Sequence, residues 1–285
     1  MNPLVSVVVI TYNSGKYILN GLRSIESQTY DNIEVIISDD CSTDNTIEIC
    51  KAWISENKTR FRRVELVEAP KNTGVAGNLN RGIRASKGKW IKTLSGDDTI
   101  PSDSIKCYLD YSAKNPKIDI CCSKLHIYGN NDNEVNKMKS YYENLYTLIK
   151  DYKNQLNNYI KSHFIPGTGL FYKKKLWEDV GGFDENYPFC DEYPFCMSVL
   201  LRGYTIYFLD KELYCYQIQS DSLSNCFTKT RPRMNIRTFK DLRRFFINKR
   251  FGLLLKKGMI YNAVYQLLKY EYIWISTYKC GRNNK

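Results

Sequence analysis

The chain has 285 residues, of which 43% are apolar, and it carries a formal net charge of +12. That length accommodates one large α/β domain with an appendage. Only two histidines are present, so a histidine-based zinc site is not expected. The ten cysteines include no CxxC pair, and no secretory signal is recognisable at the N-terminus. We therefore expect a cytoplasmic protein with reduced thiols.

The positive charge is concentrated near the C-terminus. Residues 229–285 contain 15 Lys and Arg residues against two acids, while the whole chain is only +12. Residues 1–228 are therefore close to neutral. A neutral body argues against a nucleic-acid-binding protein, because such domains carry a basic surface. We expect a globular domain over 1–228, a basic extension over 229–285, and no nucleic-acid partner.

The first third of the chain alternates between predicted strands and helices. Four apolar runs predict buried strands: Val5 to Ile10, Ile33 to Ser38, Val64 to Glu68 and Trp90 to Leu94. Helical periodicity lies between them, around Ile18 to Ile25, Thr43 to Asn57 and Asn78 to Ser86. This order predicts an α/β fold built from βαβ units with a parallel sheet and right-handed crossovers.

Polar loops follow three of these strands at their carboxyl ends. They are Thr11-Tyr12-Asn13, Asp39-Asp40 and Gly96-Asp97-Asp98. In an open parallel sheet, the loops at the carboxyl ends of the strands form the ligand crevice. We therefore expect all three loops to converge on one edge of the sheet.

The Asp97-Asp98 pair has two interpretations. Adjacent carboxylates repel each other, and burying either one without a partner is costly. A hard cation such as Mg²⁺ or Mn²⁺ would justify the pair, because it prefers carboxylates together with phosphate oxygens. Gly-Asp-Asp is also good turn chemistry, so a solvated turn is the alternative. The convergence of three polar loops favours the cation site.

The second half of the main body is less regular. We predict a helix over Ser102 to Asn115, a strand over Ile118 to His126 and a polar surface loop over Gly129 to Lys139. Helical spacing within Tyr142 to Ile160 indicates either an insertion packed on the sheet or one wall of the site. A short helix over Lys174 to Val180 is expected to end at the following two glycines.

The basic extension contains two stretches with amphipathic helical spacing. Met234 to Arg250 carries aromatic and aliphatic residues among basic ones, and a second pattern runs from Ile260 to Leu268. Such helices suit an anionic membrane surface. Lys269 and Glu271 interrupt the second stretch, so a transmembrane span is not expected. We expect peripheral contact with the inner face of the cell membrane; the alternative is a pair of helices packed on the main body.

Six segments, in order, resemble the family 2 glycosyltransferases, which are nucleotide-sugar-dependent enzymes with the GT-A fold. The segments cover most of residues 4–225: Val5 to Asn13, Asp39 to Asp44, Asn72 to Gly74 with Asn78 to Gly82, Leu94 to Asp98, Gly181 to Glu185 and Asp191 to Phe195. Two positions depart from the family pattern. Cys41 replaces a glycine, and Ser95 stands where an acid is common. The resemblance implies a GT-A, Rossmann-like catalytic domain over 1–228, followed by a helical basic extension.

The resemblance also implies an activity. It is transfer of a sugar from a UDP- or dTDP-sugar to a hydroxyl of a glycan acceptor, with inversion at the anomeric carbon. The implied setting is bacterial surface polysaccharide or lipopolysaccharide biosynthesis, where a lipid carrier for the acceptor would agree with membrane contact. A dehydrogenase is disfavoured because no GxGxxG follows the first strand. A nucleotidyltransferase or another nucleotide-binding α/β protein is the alternative.

The resemblance assigns roles to named residues. Asp39 or Asp40 would accept an N–H of uracil or thymine, and Arg81 would face the diphosphate unless it lies on a solvated face. Asp98 would be the direct ligand of a divalent cation, Mn²⁺ or Mg²⁺, with Asp97 near the ribose or a metal-bound water. The complete implied donor-binding set is Thr11, Tyr12, Asn13, Asp39, Asp40, Asn72, Asn78, Arg81 and Asp97.

The catalytic base is implied to be one of two adjacent acids. The family usually has Glu-Asp with the second residue as base, whereas this chain has Asp191-Glu192. Register favours Glu192, while residue type favours Asp191. We expect Glu192 to be the base, with helix capping as the alternative role for either acid.

Overall fold

A computed structural model describes residues 2–162, 164–218 and 240–269. These residues contain one seven-stranded sheet, in the order β3-β2-β1-β4-β6-β5-β7. Only β6 pairs in antiparallel fashion within this sheet, with β4 and β5, so the predicted mostly parallel α/β architecture is confirmed. The strands are β1 Val5–Thr11, β2 Ile33–Asp39, β3 Arg63–Glu68, β4 Trp90–Ser95, β5 Ile120–Gly129, β6 Leu170–Lys173 and β7 Tyr207–Ile218.

Helices connect the strands and follow the last one. The α-helices are α1 Ile18–Glu26, α2 Thr46–Asn57, α3 Gly74–Ala85, α4 Ser104–Lys114, α5 Asp132–Ile149, α6 Gln155–Lys161, α7 Lys174–Val180, α8 Glu192–Leu201 and α9 Phe251–Lys256. A 3₁₀ turn covers Gly167–Gly169, and a π-helical segment covers Phe246–Arg250. Residues 240–245 and 260–269 are also helical.

The sheet separates two apolar cores. In β1, Val5, Val7 and Val9 face one core, while Val8 faces the other. All four side chains are fully buried. A parallel strand covered on both faces has no solvent side, which explains the continuous apolar runs in the sequence.

The prediction of a surface loop over Gly129 to Lys139 is wrong. Most of this segment belongs to α5, which begins at Asp132. The Asn131 side chain caps the helix by accepting the N–H of Asn133 at 3.1 Å and that of Glu134 at 3.3 Å. An asparagine N-cap satisfies amide groups that a polar first turn would otherwise leave exposed. The polar composition of this segment therefore belongs to a capped surface helix and not to a loop.

The helix predicted within Tyr142 to Ile160 is interrupted rather than continuous. The chain leaves α5 after Ile149 and re-enters a helix at Gln155. The buried Gln155 amide donates to the carbonyls of Ile149 at 2.9 Å and Ile206 at 2.8 Å. These two hydrogen bonds satisfy main-chain carbonyls at the break between the helices. One of them depends on Ile206, which is 51 residues away in the chain.

The described part of the basic extension packs against the main body. Phe245 and Phe246 are buried in one of the two cores of the sheet domain. Arg250 is also buried, and its guanidinium donates to the carbonyls of Ile160 and Lys161. The other parts of the extension, 229–239 and 270–285, lie outside the described residues. Within the described part, no helix combines the length and apolarity needed to cross a membrane.

Candidate active site

The three polar loops lie side by side at one edge of the sheet. Strand β1 lies between β2 and β4, and Thr11 is in register with Asp39. The N–H of Asp40 donates to the Thr11 carbonyl at 2.9 Å, and the N–H of Gly96 donates to the Ile10 carbonyl at 2.9 Å. The predicted convergence is confirmed. This carboxyl edge is where open α/β sheets bind ligands.

The loop after β1 offers both a buried hydroxyl and an exposed ring. The Thr11 hydroxyl is buried and has no hydrogen-bond partner among the described residues. Buried hydroxyls are normally paired, so this one is available to a ligand atom. Tyr12 is 49% exposed. Asn13 joins this loop to the next: its N–H donates to the Ser42 hydroxyl at 2.8 Å, and its side-chain oxygen accepts the Thr43 N–H at 2.8 Å.

Asp39 is fully buried at the end of β2. Its carboxylate accepts the N–H of Ser42 at 2.8 Å and the Ser42 hydroxyl at 2.5 Å. The intervening Cys41 has a φ of +69°, a left-handed conformation that favours glycine, the residue of the family pattern. A carboxylate has about four acceptor positions, so Asp39 retains capacity for a donor on a ligand.

Asp40 differs from Asp39 because protein donors occupy its carboxylate. It accepts the N–H of Thr73 at 2.9 Å, the Thr73 hydroxyl at 2.7 Å and the N–H of Gly74 at 2.8 Å. Arg81 adds a charged hydrogen bond at 3.1 Å. Asn72 also accepts the Gly74 N–H, at 3.1 Å. These bonds join the end of β2 to the start of α3.

Arg81 points into the protein, with its side chain 19% exposed, so it does not lie on a solvated face. It donates to the Asn78 side-chain oxygen at 2.7 Å, to the Asp39 main-chain carbonyl at 3.0 Å and to the Ser38 hydroxyl at 3.1 Å. The Asn78 amide donates in turn to the Thr11 carbonyl at 3.2 Å. This network ties β1 and β2 to α3.

The Asp97-Asp98 pair is not a solvated turn. Asp98 is 3% exposed, and its carboxylate accepts the Tyr214 hydroxyl at 2.7 Å and the Gln217 N–H at 3.2 Å. Burial, reinforced by the charge of Asp97, raises the pKa of Asp98 to about 7. Burial also raises the pKa of Asp97, whose carboxylate accepts no hydrogen bond from another described residue. The burial of adjacent carboxylates is costly, and a bound cation would offset that cost.

Asp191 and Glu192 occupy different positions at the start of α8. Asp191 is the N-cap residue, but its side chain makes no capping hydrogen bond. The Glu192 carboxylate accepts the N–H of Gly167 at 2.6 Å. Gly167 lies just before β6, which runs antiparallel to β4, so Glu192 reaches the carboxyl edge of β4. Burial raises the pKa of both carboxyls, and the charge of Glu192 adds to the effect on Asp191.

Two residues of this region are absent from the set derived from sequence. Tyr214, on β7, donates to Asp98, but nothing in its local sequence distinguishes it from the chain's other tyrosines. Lys92 is 0% exposed in the middle of β4, and burial lowers its pKa to about 7. A lysine between apolar residues of a predicted buried strand was a usable signal, because lysine is rarely buried. No group of three or more His, Cys, Asp and Glu side chains in the described residues forms a ready-made metal site.

Comparisons of sequence identify relatives of this chain. Residues 6–181 match the model of the family described as Glycosyl transferase family 2. Glycosyltransferase GlyG of Streptococcus pneumoniae is 31% identical over 230 residues, covering 78% of this chain and 73% of that protein. Glycosyltransferase GlyA of the same organism is 30% identical over 242 residues, covering 79% of this chain and 32% of that protein.

Comparisons of structure agree with the sequence match. The mannosyltransferase PcManGT from Pyrobaculum calidifontis, in complex with GDP-Man and Mn²⁺, gives a TM-score of 0.63 at 20% identity, covering 95% of this chain and 69% of that one. S. aureus TarS 1–349 in complex with UDP-GlcNAc gives 0.58 at 18% identity, covering 94% and 81%. These likenesses establish the shared fold. With the family match over most of the sheet domain, they show that the chain belongs to glycosyl transferase family 2 and is a glycosyltransferase with the GT-A fold.

Proposed function

We propose that this enzyme transfers a sugar from a UDP- or dTDP-sugar to a hydroxyl of a glycan acceptor, with inversion at the anomeric carbon. The observation that carries the proposal is the position of three kinds of carboxylate at one edge of the sheet: buried Asp39, the Asp97-Asp98 pair and Glu192. A carboxylate can accept a nucleobase N–H, hold a cation that neutralises a diphosphate, or take the proton of an acceptor hydroxyl. Solved relatives that contain UDP-GlcNAc or GDP-Man support a nucleotide-sugar donor.

Asp39 is the proposed partner of the uracil or thymine N–H. Its carboxylate bonds only to Ser42 among the described residues, whereas that of Asp40 serves α3 and Arg81. The buried Thr11 hydroxyl lies next to it, in register across the strands. We assign Arg81, Asn72 and Asn78 to holding the loops, because their side chains bond to protein atoms.

A divalent cation, Mn²⁺ or Mg²⁺, fits the Asp97-Asp98 pair. A buried carboxylate beside a half-buried one, both with raised pKa values, favours a neutralising cation, and hard cations prefer carboxylate oxygen. We assign Asp97 as the first ligand because Tyr214 and Gln217 already bond to the Asp98 carboxylate. Asp98 would contribute through its remaining acceptor positions. When bound, the cation would neutralise the charge that develops on the leaving diphosphate.

Glu192 is the proposed general base. Its carboxylate takes the proton of the acceptor hydroxyl as that oxygen forms a bond to the anomeric carbon. The bond between the anomeric carbon and the diphosphate oxygen breaks on the opposite face, and the nucleoside diphosphate leaves with the bonding electrons. A single displacement of this kind inverts the anomeric centre. The Gly167 N–H orients the carboxylate for the proton transfer.

A thermal-shift panel combined with product analysis tests this function. The panel uses UDP, dTDP and GDP and their common sugar derivatives, each with and without Mn²⁺. A true ligand at one hundred times its Kd should stabilise the protein by about 2.7 kcal/mol. The stabilising nucleotide sugar should then release nucleoside diphosphate in the presence of a glycan acceptor. Release of pyrophosphate instead would identify a nucleotidyltransferase and contradict the proposal.

We propose a bacterial surface glycan, held on a lipid carrier, as the acceptor. The minor teichoic acid biosynthesis protein GgaA of Bacillus subtilis supports this class, with 25% identity over 204 residues, covering 69% of this chain and 43% of that protein. An acceptor on a lipid carrier would place the enzyme at the inner face of the cell membrane.

One face of the C-terminal helices supports membrane contact. It exposes large apolar side chains along residues 255–268, each more than two fifths accessible: Leu255, Ile260, Tyr261, Val264, Tyr265 and Leu268. Lys256, Lys257 and Lys269 are exposed on the same segment. Aliphatic residues and tyrosines beside lysines suit the interface of an anionic bilayer. We propose that this apolar face binds the membrane peripherally.

Vesicle sedimentation is expected to detect this binding. At low salt the protein should sediment with vesicles containing phosphatidylglycerol, and less with phosphatidylcholine alone, because the lysines attract anionic lipid. The triple variant Ile260→Ser, Tyr265→Ser, Leu268→Ser should bind the vesicles several-fold less. Leu201→Ser removes an apolar side chain that is 49% exposed on α8 and should have no effect. Equal sedimentation of the triple variant and the unmodified protein would exclude the apolar face as the contact.

A further inference from the structure

Lys92 is a buried cation at the centre of the sheet. It lies on β4 opposite Phe171 of β6 and is 0% exposed. Burying an ammonium group is costly unless acceptors surround it. The Lys92 ammonium donates to the main-chain carbonyls of Thr168 at 2.6 Å and Leu170 at 3.1 Å. Its hydrogen bonds are therefore directed to the turn before β6.

The Gly169 carbonyl, between those of Thr168 and Leu170, also accepts a hydrogen bond from a side chain. The Tyr108 hydroxyl donates to the Gly169 carbonyl at 3.0 Å and pairs with the Ser123 hydroxyl at 2.7 Å. Three successive carbonyls, from Thr168 to Leu170, thus accept from buried side chains. Turns are usually mobile because their main-chain groups face water. This one is tied to the interior of the sheet.

The same turn contacts the proposed base. The Gly167 N–H donates to the Glu192 carboxylate at 2.6 Å. A Cβ atom at position 167 would lie 2.5 Å from the Glu192 Oε2 atom and 2.7 Å from its Cβ. The turn therefore packs directly against Glu192, and a displacement of the turn would move the carboxylate or break its hydrogen bond.

We propose that Lys92 is a positioning residue for Glu192: it holds the turn over residues 167–170 so that the Gly167 N–H orients the carboxylate. This inference rests on the proposed role of Glu192 as the base. Lys92 is buried and acts through the turn. Two rings also flank the ammonium nitrogen: that of Tyr214, centred 4.7 Å away, and that of Tyr108, centred 5.5 Å away.

Hydrogen exchange tests the structural link without any substrate. Methionine has a similar length to lysine and adapts well to buried sites, so Lys92→Met removes the donor with little change in volume. Amides of residues 164–170 should exchange on the order of tenfold faster in Lys92→Met, while those of α2 stay unchanged. Unchanged exchange at 164–170 would overturn the proposal, whether or not a donor sugar has been found.

Kinetic measurements test whether Lys92 affects sugar transfer through Glu192. With the nucleotide sugar that gives the largest thermal shift, Lys92→Met should lower kcat by about 100-fold while the Kd for UDP or the matching nucleotide stays within about twofold. In the Glu192→Gln background, the same substitution should change kcat by no more than about twofold. A further large loss in that background, or a parallel loss of nucleotide binding through Tyr214, would contradict positioning of Glu192.

A control comes from strand β6, which pairs with β4. Tyr172 lies on β6, and its buried hydroxyl has no hydrogen-bond partner in the part of the chain that the structure describes. Tyr172→Phe should leave both the exchange of 164–170 and kcat unchanged. If Lys92→Met fails to fold, Gly167→Ala tests the contact between the turn and Glu192 instead. The added Cβ at position 167 would collide with the Glu192 side chain. Full kcat in Gly167→Ala would overturn the proposal.

Discussion

Glu192→Gln is expected to reduce the rate of sugar transfer by about 10²- to 10⁴-fold, the usual contribution of a positioned general base. Glutamine has nearly the same shape, and its amide oxygen can still accept the Gly167 N–H. A neutral amide cannot take the proton of the acceptor hydroxyl. Nucleotide affinity and the free energy of unfolding should therefore change little. Initial rates of nucleoside diphosphate release, measured beside nucleotide binding, separate these effects.

Asp191→Asn is the matched control for the base. Asp191 stands at the N-cap of α8 without a capping hydrogen bond, so its amide variant should retain most of the transfer rate. A large loss in Asp191→Asn together with a normal rate in Glu192→Gln would reverse the assignment.

The pH dependence of the rate tests the same assignment. Burial raises the pKa of the Glu192 carboxyl, so the proposed base is protonated in acid. The rate should increase as pH rises through that elevated pKa. In Glu192→Gln the limb should disappear from the residual rate.

Asp97→Asn is expected to abolish the stabilisation of the nucleotide complex by Mn²⁺ and to lower the transfer rate by about 10²- to 10³-fold. The loss is comparable to removing one group that stabilises charge in a transition state. The Asp97 carboxylate accepts no hydrogen bond from another described residue, so the amide breaks no such internal contact. Burial raises the pKa of Asp97, so the metal-free protein should not be destabilised. Thermal shifts with UDP, with and without Mn²⁺, measure both effects.

Asp98→Asn provides the comparison for Asp97. It weakens the contacts with Tyr214 and Gln217, and the loss of a buried hydrogen bond should destabilise the metal-free protein by about 1 kcal/mol. If Mn²⁺ stabilised the Asp97→Asn complex normally but had no effect on Asp98→Asn, Asp98 would be the principal ligand.

Much of the fold could be predicted because its signals are local. The apolar runs of β1, β2 and β4 are visible in sequence, and loops at their carboxyl ends must meet on one edge. The failures lie between β5 and β6. There, a polar first turn capped by Asn131 resembled a loop, and the break before Gln155 depended on a carbonyl 51 residues away. Neither the cap nor the bridge leaves a pattern of hydrophobic periodicity.

The roles of adjacent acids could not be separated by sequence. Asp39 and Asp40 are neighbours of identical chemistry, yet only Asp40 is occupied by donors from the start of α3, 33 and 34 residues away. Asp98 is distinguished from Asp97 by Tyr214, which lies 116 residues further along the chain. Each distinction depends on contacts between distant segments, which local composition does not encode.

The α/β class, the order of the elements and the edge of the sheet at which the polar loops meet could be predicted from the sequence alone. They follow from periodicity and from the direction of parallel strands. The folded structure was needed to show which acids bond to protein donors and which remain available to a ligand, and it revealed the contact of Lys92 with the turn beside Glu192. Hydrogen bonding and burial set the state of each carboxylate, and both depend on residues distant in the chain.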